Sequence, residues 1–252
     1  MSSNITEFFD KMAENRNSVI SKNIIVEYEQ EKRSEGIISF LNPQIGELIL
    51  DVGCGNARDF IHILKKGGRI IGVDLSSRMI DEARRELEKH SSLGGFELKT
   101  GDVTKLEFPD AYFDKVIASE VIEHIPDWKK SLSEMLRVLK PKGELIISTP
   151  NKRSWYGFDR YMVYEKILRR QWEHPYDQWK THHELEHALN DCGFTIVAKR
   201  GICYIPGFII PYFILPRFLK KTLIFFVRRI EDILGALLPA NGYMLCIKAV
   251  KN

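Results

Sequence analysis

The 252-residue sequence predicts an α/β chain built on a parallel, doubly wound sheet with helices on both faces. Three observations carry this. First, an apolar run, Leu48 to Leu50, leads into Asp51, Gly53 and Gly55, and an amphipathic pattern through Phe60, Ile61 and Leu64 follows. That order is the first βα unit of a nucleotide-binding sheet. Second, short apolar runs alternate with helical patterns up to residue 151, and right-handed crossovers place such helices on both faces. Third, 44% apolar and 28% charged residues are a globular composition, and this length suits one α/β domain with insertions.

Residues 5–41 read as one or two amphipathic helices with polar interruptions around Asn15 to Ser18; Pro43 and Gly46 end them. Residues 1–45 are thus a helical arm that packs on the sheet or closes over a ligand. The first strand ends at Asp51, and a helix opened by Asn56 runs to about Lys66, stopped by Gly67 and Gly68. The run RIIGVD is the second strand and ends at Asp74, 23 residues after Asp51. This is near the roughly 20-residue offset at which a carboxylate grips ribose hydroxyls, and one carboxylate accepts two such donors. The alternative is a solvated acid at a strand end. Ser76 then caps a helix with Met79, Ile80, Ala83 and Leu87 on one face.

FELKT is a third strand, followed by Gly101, Asp102 and Val103. A turn from Phe108 to Asp114 leads into KVIAS, whose carboxyl end carries Ser119 and Glu120, where open α/β sheets place ligands. Asp127 caps a helix with Leu132, Met135, Leu136 and Leu139 inward; Pro141 and Gly143 end it before the strand ELIISTPN.

The glycine turn narrows the ligand. A dinucleotide fingerprint needs a third glycine at position 58, which is Arg58, and no GxxxxGK[ST] phosphate loop is present. The stretch LILDVGCGNARDF instead resembles motif I, D-x-G-x-G, of the class I S-adenosylmethionine-dependent methyltransferases. The resemblance runs through much of 48–150. It implies a Rossmann-like, seven-stranded, mostly parallel sheet, with YMLCIKAV (243–250) as an antiparallel last strand beside FTIVAKR. It implies S-adenosyl-L-methionine as cofactor, with Asp51, Gly53 and Gly55 at its amino-acid end. Asp74, with Leu75 beside it, would hold the ribose; Asp102 and the Val103 N–H would read the adenine, and the Ser119–Glu120 backbone would complete the site.

The chemistry beyond binding rests on fewer residues. His124 follows the fourth strand, and histidine can take a hydroxyl proton near neutral pH; equally, it can be a structural residue of that turn. Glu120, Glu123 and His124 are similar to the E-x-x-E-H of the ubiquinone-biosynthesis O-methyltransferases, where these groups can hold a divalent ion; no metal is expected here.

Composition bounds the partners. A net charge of +3 demands no nucleic acid, and no separate RNA-binding module is present. The charge is uneven: residues 201–252 sum to +5 and residues 1–200 to −2. Four dispersed cysteines without a CxxC pair fit a reducing, cytoplasmic setting, and the charged N-terminus has no apolar signal region.

Two insertions depart from the alternation within the 46–200 core and after it. Residues 151–181 hold Trp155, Tyr156, Phe158, Tyr161, Tyr164, Trp172, Tyr176 and Trp179, with Arg153, Arg160, Arg169 and Arg170 interleaved, which suggests a cap over a small molecule. Residues 201–242 hold an uncharged run from Ile202 to Pro216, broken by Pro206, Pro211 and Pro216, and then a helix from Arg217 to Leu238. On that helix Arg217, Lys220, Lys221 and Arg228 share a narrow face, a pattern that suits a membrane surface, inward packing over the site or a dimer surface. Residues 243–252 return to the core sheet.

These readings converge on methyl transfer to a small acceptor, O-methylation favoured, in the cytoplasm; if the 201–238 region lies on lipid, the acceptor is lipophilic and the protein sits peripherally on the inner face of the membrane. The alternatives are N- or C-methylation of a lipid or other small molecule, and a membrane-associated S-adenosylmethionine-binding protein without catalysis. The sequence sets no oligomeric state.

Overall fold

The computed structural model describes residues 2–19, 24–90, 94–171, 174–204, 217–238 and 240–252. The uncharged run's three prolines and Trp172 of the aromatic insertion lie outside them, as do the side chains of Arg217, Lys220 and Lys221.

Two helices, α1 (Ser2–Val19) and α2 (Ile24–Leu41), precede the sheet. There follow β1 (Leu48–Val52), α3 (Phe60–Leu64), β2 (Arg69–Asp74), α4 (Ser77–Glu88), β3 (Phe96–Thr100), β4 (Phe113–Ser119), α5 (Trp128–Val138) and β5 (Leu139–Pro150). The cap consists of α6 (Trp155–Phe158) and a π-helical segment, Asp159–Ile167. Then come α7 (His182–Cys192), β6 (Phe194–Ile202), α8 (Arg217–Leu237) and β7 (Met244–Lys251).

The seven strands lie in the order β3-β2-β1-β4-β5-β7-β6. β7 is antiparallel to both β5 and β6; the other described pairs are parallel. This is the Rossmann-like sheet that the motif I resemblance implies. The order reverses between β1 and β4, and at such a point crossovers leave to opposite faces and open a crevice at the strand ends.

Alternate residues of a strand face opposite ways, and the core divides accordingly. Leu50, Val52, Val116 and Leu145 pack with Leu132 and Met135 of α5 and Leu185 and Leu189 of α7. Ile49, Ile70, Ile117 and Ile146 pack with Ile37 and Leu41 of α2, Phe60 and Ile63 of α3, and Ile80 and Leu87 of α4. Local chemistry sets the helix ends. Ser76 and Asp127 cap α4 and α5 through the amides of Met79 and Lys130. Thr181 and Glu184 form a reciprocal capping box on α7.

Several boundaries differ from the sequence reading. Leu139, expected on the inward face of the helix capped by Asp127, instead begins β5 because it pairs with Phe113 of β4, and Pro141 and Gly143, expected to end that helix, lie within the strand. The polar residues 15–18 do not break α1, which runs to Val19. The helix expected from Asn56 begins only at Phe60, because Ala57 takes a left-handed φ of 56°. The glycine turn is therefore longer than the sequence suggests, and it leaves more backbone facing the crevice.

Candidate active site

The ends of β1, β2 and β4, closed by α1, α2 and by His174, Asp177 and Trp179 of the segment after the cap, enclose a cavity of about 1100 Å³. Every residue singled out from sequence for cofactor binding lines it, and so does His124.

The glycine turn comes first. Gly53 and Gly55 have φ of 67° and 52°, which a side chain tolerates poorly. A Cβ at Gly53 would also run into the Val121 side chain. The Gly53 and Cys54 amides donate to the Val73 carbonyl at 2.7 and 3.1 Å, fastening the turn to β2. Asp74 fastens it again: its two carboxylate oxygens accept from the Gly55 N–H at 2.8 Å and the Ser76 N–H at 2.9 Å. Asp102 is exposed and shapes its own turn, with one oxygen accepting from the Thr104 amide and hydroxyl, each at 2.8 Å.

Asp51 is buried at the end of β1. Burial, then repulsion from Asp59 and Asp74, holds its carboxyl well above the ordinary range, while the Arg33 charge pulls it down. Glu120 follows β4 with a left-handed φ of 55°. Such a conformation in a non-glycine residue is uncommon and clusters at functional sites. Its carboxyl accepts from the Ser148 hydroxyl at 3.0 Å, and that of Glu123 from the Thr149 hydroxyl at 2.9 Å. Burial, joined by repulsion from Glu123 at Glu120 and from Asp177 at Glu123, raises both to about 8. Among the described residues, no three of His, Cys, Asp and Glu converge as a set of metal ligands.

His124 has a defined tautomer. Its Nδ1 lies 3.2 Å from the Tyr176 carbonyl oxygen, so Nδ1 donates and Nε2 carries the lone pair. Burial holds this imidazole below its ordinary pKa, against the nearby Asp177 carboxylate. His174 stacks on it with ring centres 4.3 Å apart, and Phe9 meets it edge-on at 5.3 Å. Arg160 anchors this wall, donating to Asp177 Oδ2 at 2.7 Å and to the Asp177 carbonyl at 2.6 Å.

Sequence reasoning did not single out Gln30 and Arg33 of α2, Phe8 and Phe9 of α1, or His174. All five line the cavity. Gln30 Oε1 and Arg33 Nε are buried there with no hydrogen-bond partner in the protein, a costly condition unless a ligand supplies one. No motif spacing marks these residues, since the arm has no fixed register to the glycine turn.

Comparison with known proteins places this geometry. A Methyltransferase domain family matches residues 50–147. The demethylmenaquinone methyltransferase of Listeria welshimeri is 31% identical over 211 residues, which cover 77% of this chain and 85% of that protein. The chain belongs to the class I S-adenosylmethionine-dependent methyltransferases. This methyltransferase is also 29% identical over 170 residues to the ubiquinone biosynthesis O-methyltransferase of Rhodopseudomonas palustris, covering 66% of this chain and 65% of that one. It spans only 33% of an uncharacterised 37.1 kDa transposon protein of Streptomyces fradiae, at 34% identity over 46% of this chain.

Solved structures share the fold across the methyltransferase. The [4+2]-cyclase SpnF superposes with a TM-score of 0.70 at 16% identity, covering 100% of this chain and 96% of that one. A possible histamine N-methyltransferase of Thermotoga maritima gives 0.67 at 16% identity, covering 98% and 100%. At such identities the likeness is one of fold alone.

S-adenosylmethionine is the cofactor of this methyltransferase, and the residues present fit it. The glycine turn and the Asp74 carboxylate face one cavity. Within it, Arg33 offers an unmatched donor and Gln30 an unmatched acceptor, the two complements of an α-carboxylate and an α-ammonium.

Proposed function

We propose that this methyltransferase transfers the methyl group to an oxygen of a small, lipophilic acceptor, with His124 taking the proton. When bound, S-adenosylmethionine supplies a methyl group already activated by its sulfonium. What remains for the protein is positioning, exclusion of water and removal of a proton.

Asp74 takes the ribose hydroxyls, with Leu75 against the sugar. Asp102 and the Val103 N–H take the adenine. Arg33 and Gln30 hold the amino-acid end against Asp51 and the Gly53–Gly55 turn, and the Ser119–Glu120 strand end closes the remaining side. Phe8, Phe9 and Met12 of α1 line the same cavity and exclude water from it.

The observation that carries the acceptor reading is the His124 tautomer. Nδ1 is committed to the Tyr176 carbonyl, so Nε2 is the only ring atom with a lone pair, and burial keeps the ring neutral. A half-buried neutral imidazole with a defined lone pair is suited to take a proton from a hydroxyl. One relative is named for ubiquinone biosynthesis O-methylation, which supports an oxygen acceptor, and one for demethylmenaquinone methylation, which supports a quinone-type acceptor without naming the atom. Among the described residues no helix is long and apolar enough to cross a membrane. In this reading the acceptor is met peripherally, at the inner face of the membrane and through the 201–238 region, whose helix carries an exposed apolar face.

Comparing a phenol with the same phenol carrying an isoprenoid tail tests this. The tailed compound has the higher kcat/KM and yields an O-methyl ether. Preference for the short phenol contradicts the lipophilic assignment, and an N- or C-methyl product contradicts the role of His124.

A further inference from the structure

Two exposed apolar groups lie on elements fastened beside this cavity. On α8, Leu219, Phe226, Ile230, Ile233 and Leu237 recur at three-, four- and seven-residue steps and so share a face. All are exposed, Leu237 by 70%. In the cap, Trp155, Phe158, Ile167 and Leu168 are exposed, Trp155 by 67%. An exposed apolar group of this size marks an interaction surface.

The other side of α8 is already occupied. Arg228 donates to Glu35 at 2.8 Å and to Glu31 at 2.7 Å, and Asp232 accepts from Lys32 at 3.0 Å. The basic face read from sequence thus spends Arg228 on α2, and the outward face is apolar. Adjacent α2 residues hold both groups: Tyr28 donates to Glu231 of α8 at 2.5 Å, and Glu29 accepts from Tyr156 of α6 at 2.9 Å. The same helix carries Gln30 and Arg33 into the cavity wall. Tyr243, also in that wall, stacks on Tyr156 at 4.3 Å.

Charge selects the occupant. Around the cap's apolar residues, Lys152, Arg153, Lys166, Arg169 and Arg170 are all exposed. Of the acids there, Asp159 is exposed and Glu165 is paired with Arg160 at 3.2 Å. Arg229 is exposed within the α8 face. Apolar side chains ringed by cations complement an anionic bilayer, where the former enter the acyl boundary and the latter meet the headgroups.

We propose that the cap and the outward face of α8, both fastened to the α2 helix that walls the cavity, form a two-part docking surface for an anionic phospholipid bilayer, so that the acceptor enters from the membrane. This rests on the lipophilic-acceptor reading.

The test uses the full chain with S-adenosylhomocysteine and two vesicle types, phosphatidylcholine containing phosphatidylglycerol and phosphatidylcholine alone. The variants are Ile167→Asp with Leu168→Asp in the cap, and Phe226→Asp with Ile233→Asp on α8. The wild type sediments with the anionic vesicles and less with the neutral ones. Each pair weakens binding by about tenfold, and the four together by the larger factor expected of two linked contacts. Affinity for S-adenosylhomocysteine stays unchanged throughout.

A wild type that does not sediment, or cap variants that bind as the wild type does, overturns the proposal. So does a solution dimer that the same substitutions dissociate, which would assign the surface to a second copy. Vesicle binding without methylation of any tailed acceptor would end the acceptor reading and leave the surface standing. Methylation of a tailed acceptor without vesicle binding would do the reverse.

Discussion

The Asp74 carboxylate accepts the Gly55 N–H at 2.8 Å, so the acid at the end of β2 orders the glycine turn at the end of β1. Its other oxygen accepts the Ser76 N–H at 2.9 Å and sets the start of α4. One carboxylate thereby fixes both the glycine turn and the start of α4. Asp74→Ala removes charge-assisted hydrogen bonds and weakens S-adenosylhomocysteine binding by about 1–3 kcal/mol. Calorimetry reads this directly; an unchanged affinity takes Asp74 out of the site.

Arg33 is the cation whose field pulls down the carboxyls of Asp51, Glu120 and Glu123. Arg33→Ala lowers S-adenosylhomocysteine affinity by about 1.5–3 kcal/mol, the scale of hydrogen bonds to a charged group. Arg33→Lys recovers part of it, because the charge remains while the fork of donors is lost. Equal affinities for wild type and Arg33→Ala would leave the unmatched Nε unexplained.

His124→Ala removes the proton acceptor and lowers kcat by about 10²–10⁴-fold, the usual contribution of a positioned base. Cofactor affinity is little changed. Because burial depresses the imidazole pKa, the base form persists below the ordinary histidine range and activity holds to correspondingly lower pH. A His124→Ala enzyme with full kcat assigns the residue to the structure of the turn.

Glu120 and Glu123 have carboxyl pKa values raised from 4.5 to about 8. In the folded state they hold protons that the unfolded chain has released, so their contribution is fully present below about pH 4.5 and is lost as pH rises through about 8. The cofactor-free protein therefore loses stability across this window. Glu120→Gln with Glu123→Gln flattens the loss and raises Tm at pH 8.5 relative to the wild type, by about 2–4 °C for each kcal/mol recovered. Parallel Tm–pH curves for wild type and variant contradict the raised values.

The sheet was legible because its strands are apolar runs ended by turn chemistry. The predicted RIIGVD and FELKT match β2 and β3 residue for residue. The strand-end wall of the cavity was legible where motif spacing fixes it, from Asp51 through Asp102 to Glu120. Arg33, Gln30 and His174 were not, because tertiary packing alone brings α2 and the segment after the cap to the strand ends. The orientation of α8 was likewise hidden: a helical wheel shows a basic face but not that Glu31 and Glu35 of α2 claim Arg228.

The acceptor assignment is tested most directly by incubating the protein with methyl-labelled S-adenosylmethionine and a reduced membrane lipid extract, then identifying the product by mass spectrometry. The account predicts label in the organic phase as an O-methyl ether, lost in His124→Ala. Label confined to water-soluble products, or attached to nitrogen or carbon, would contradict it.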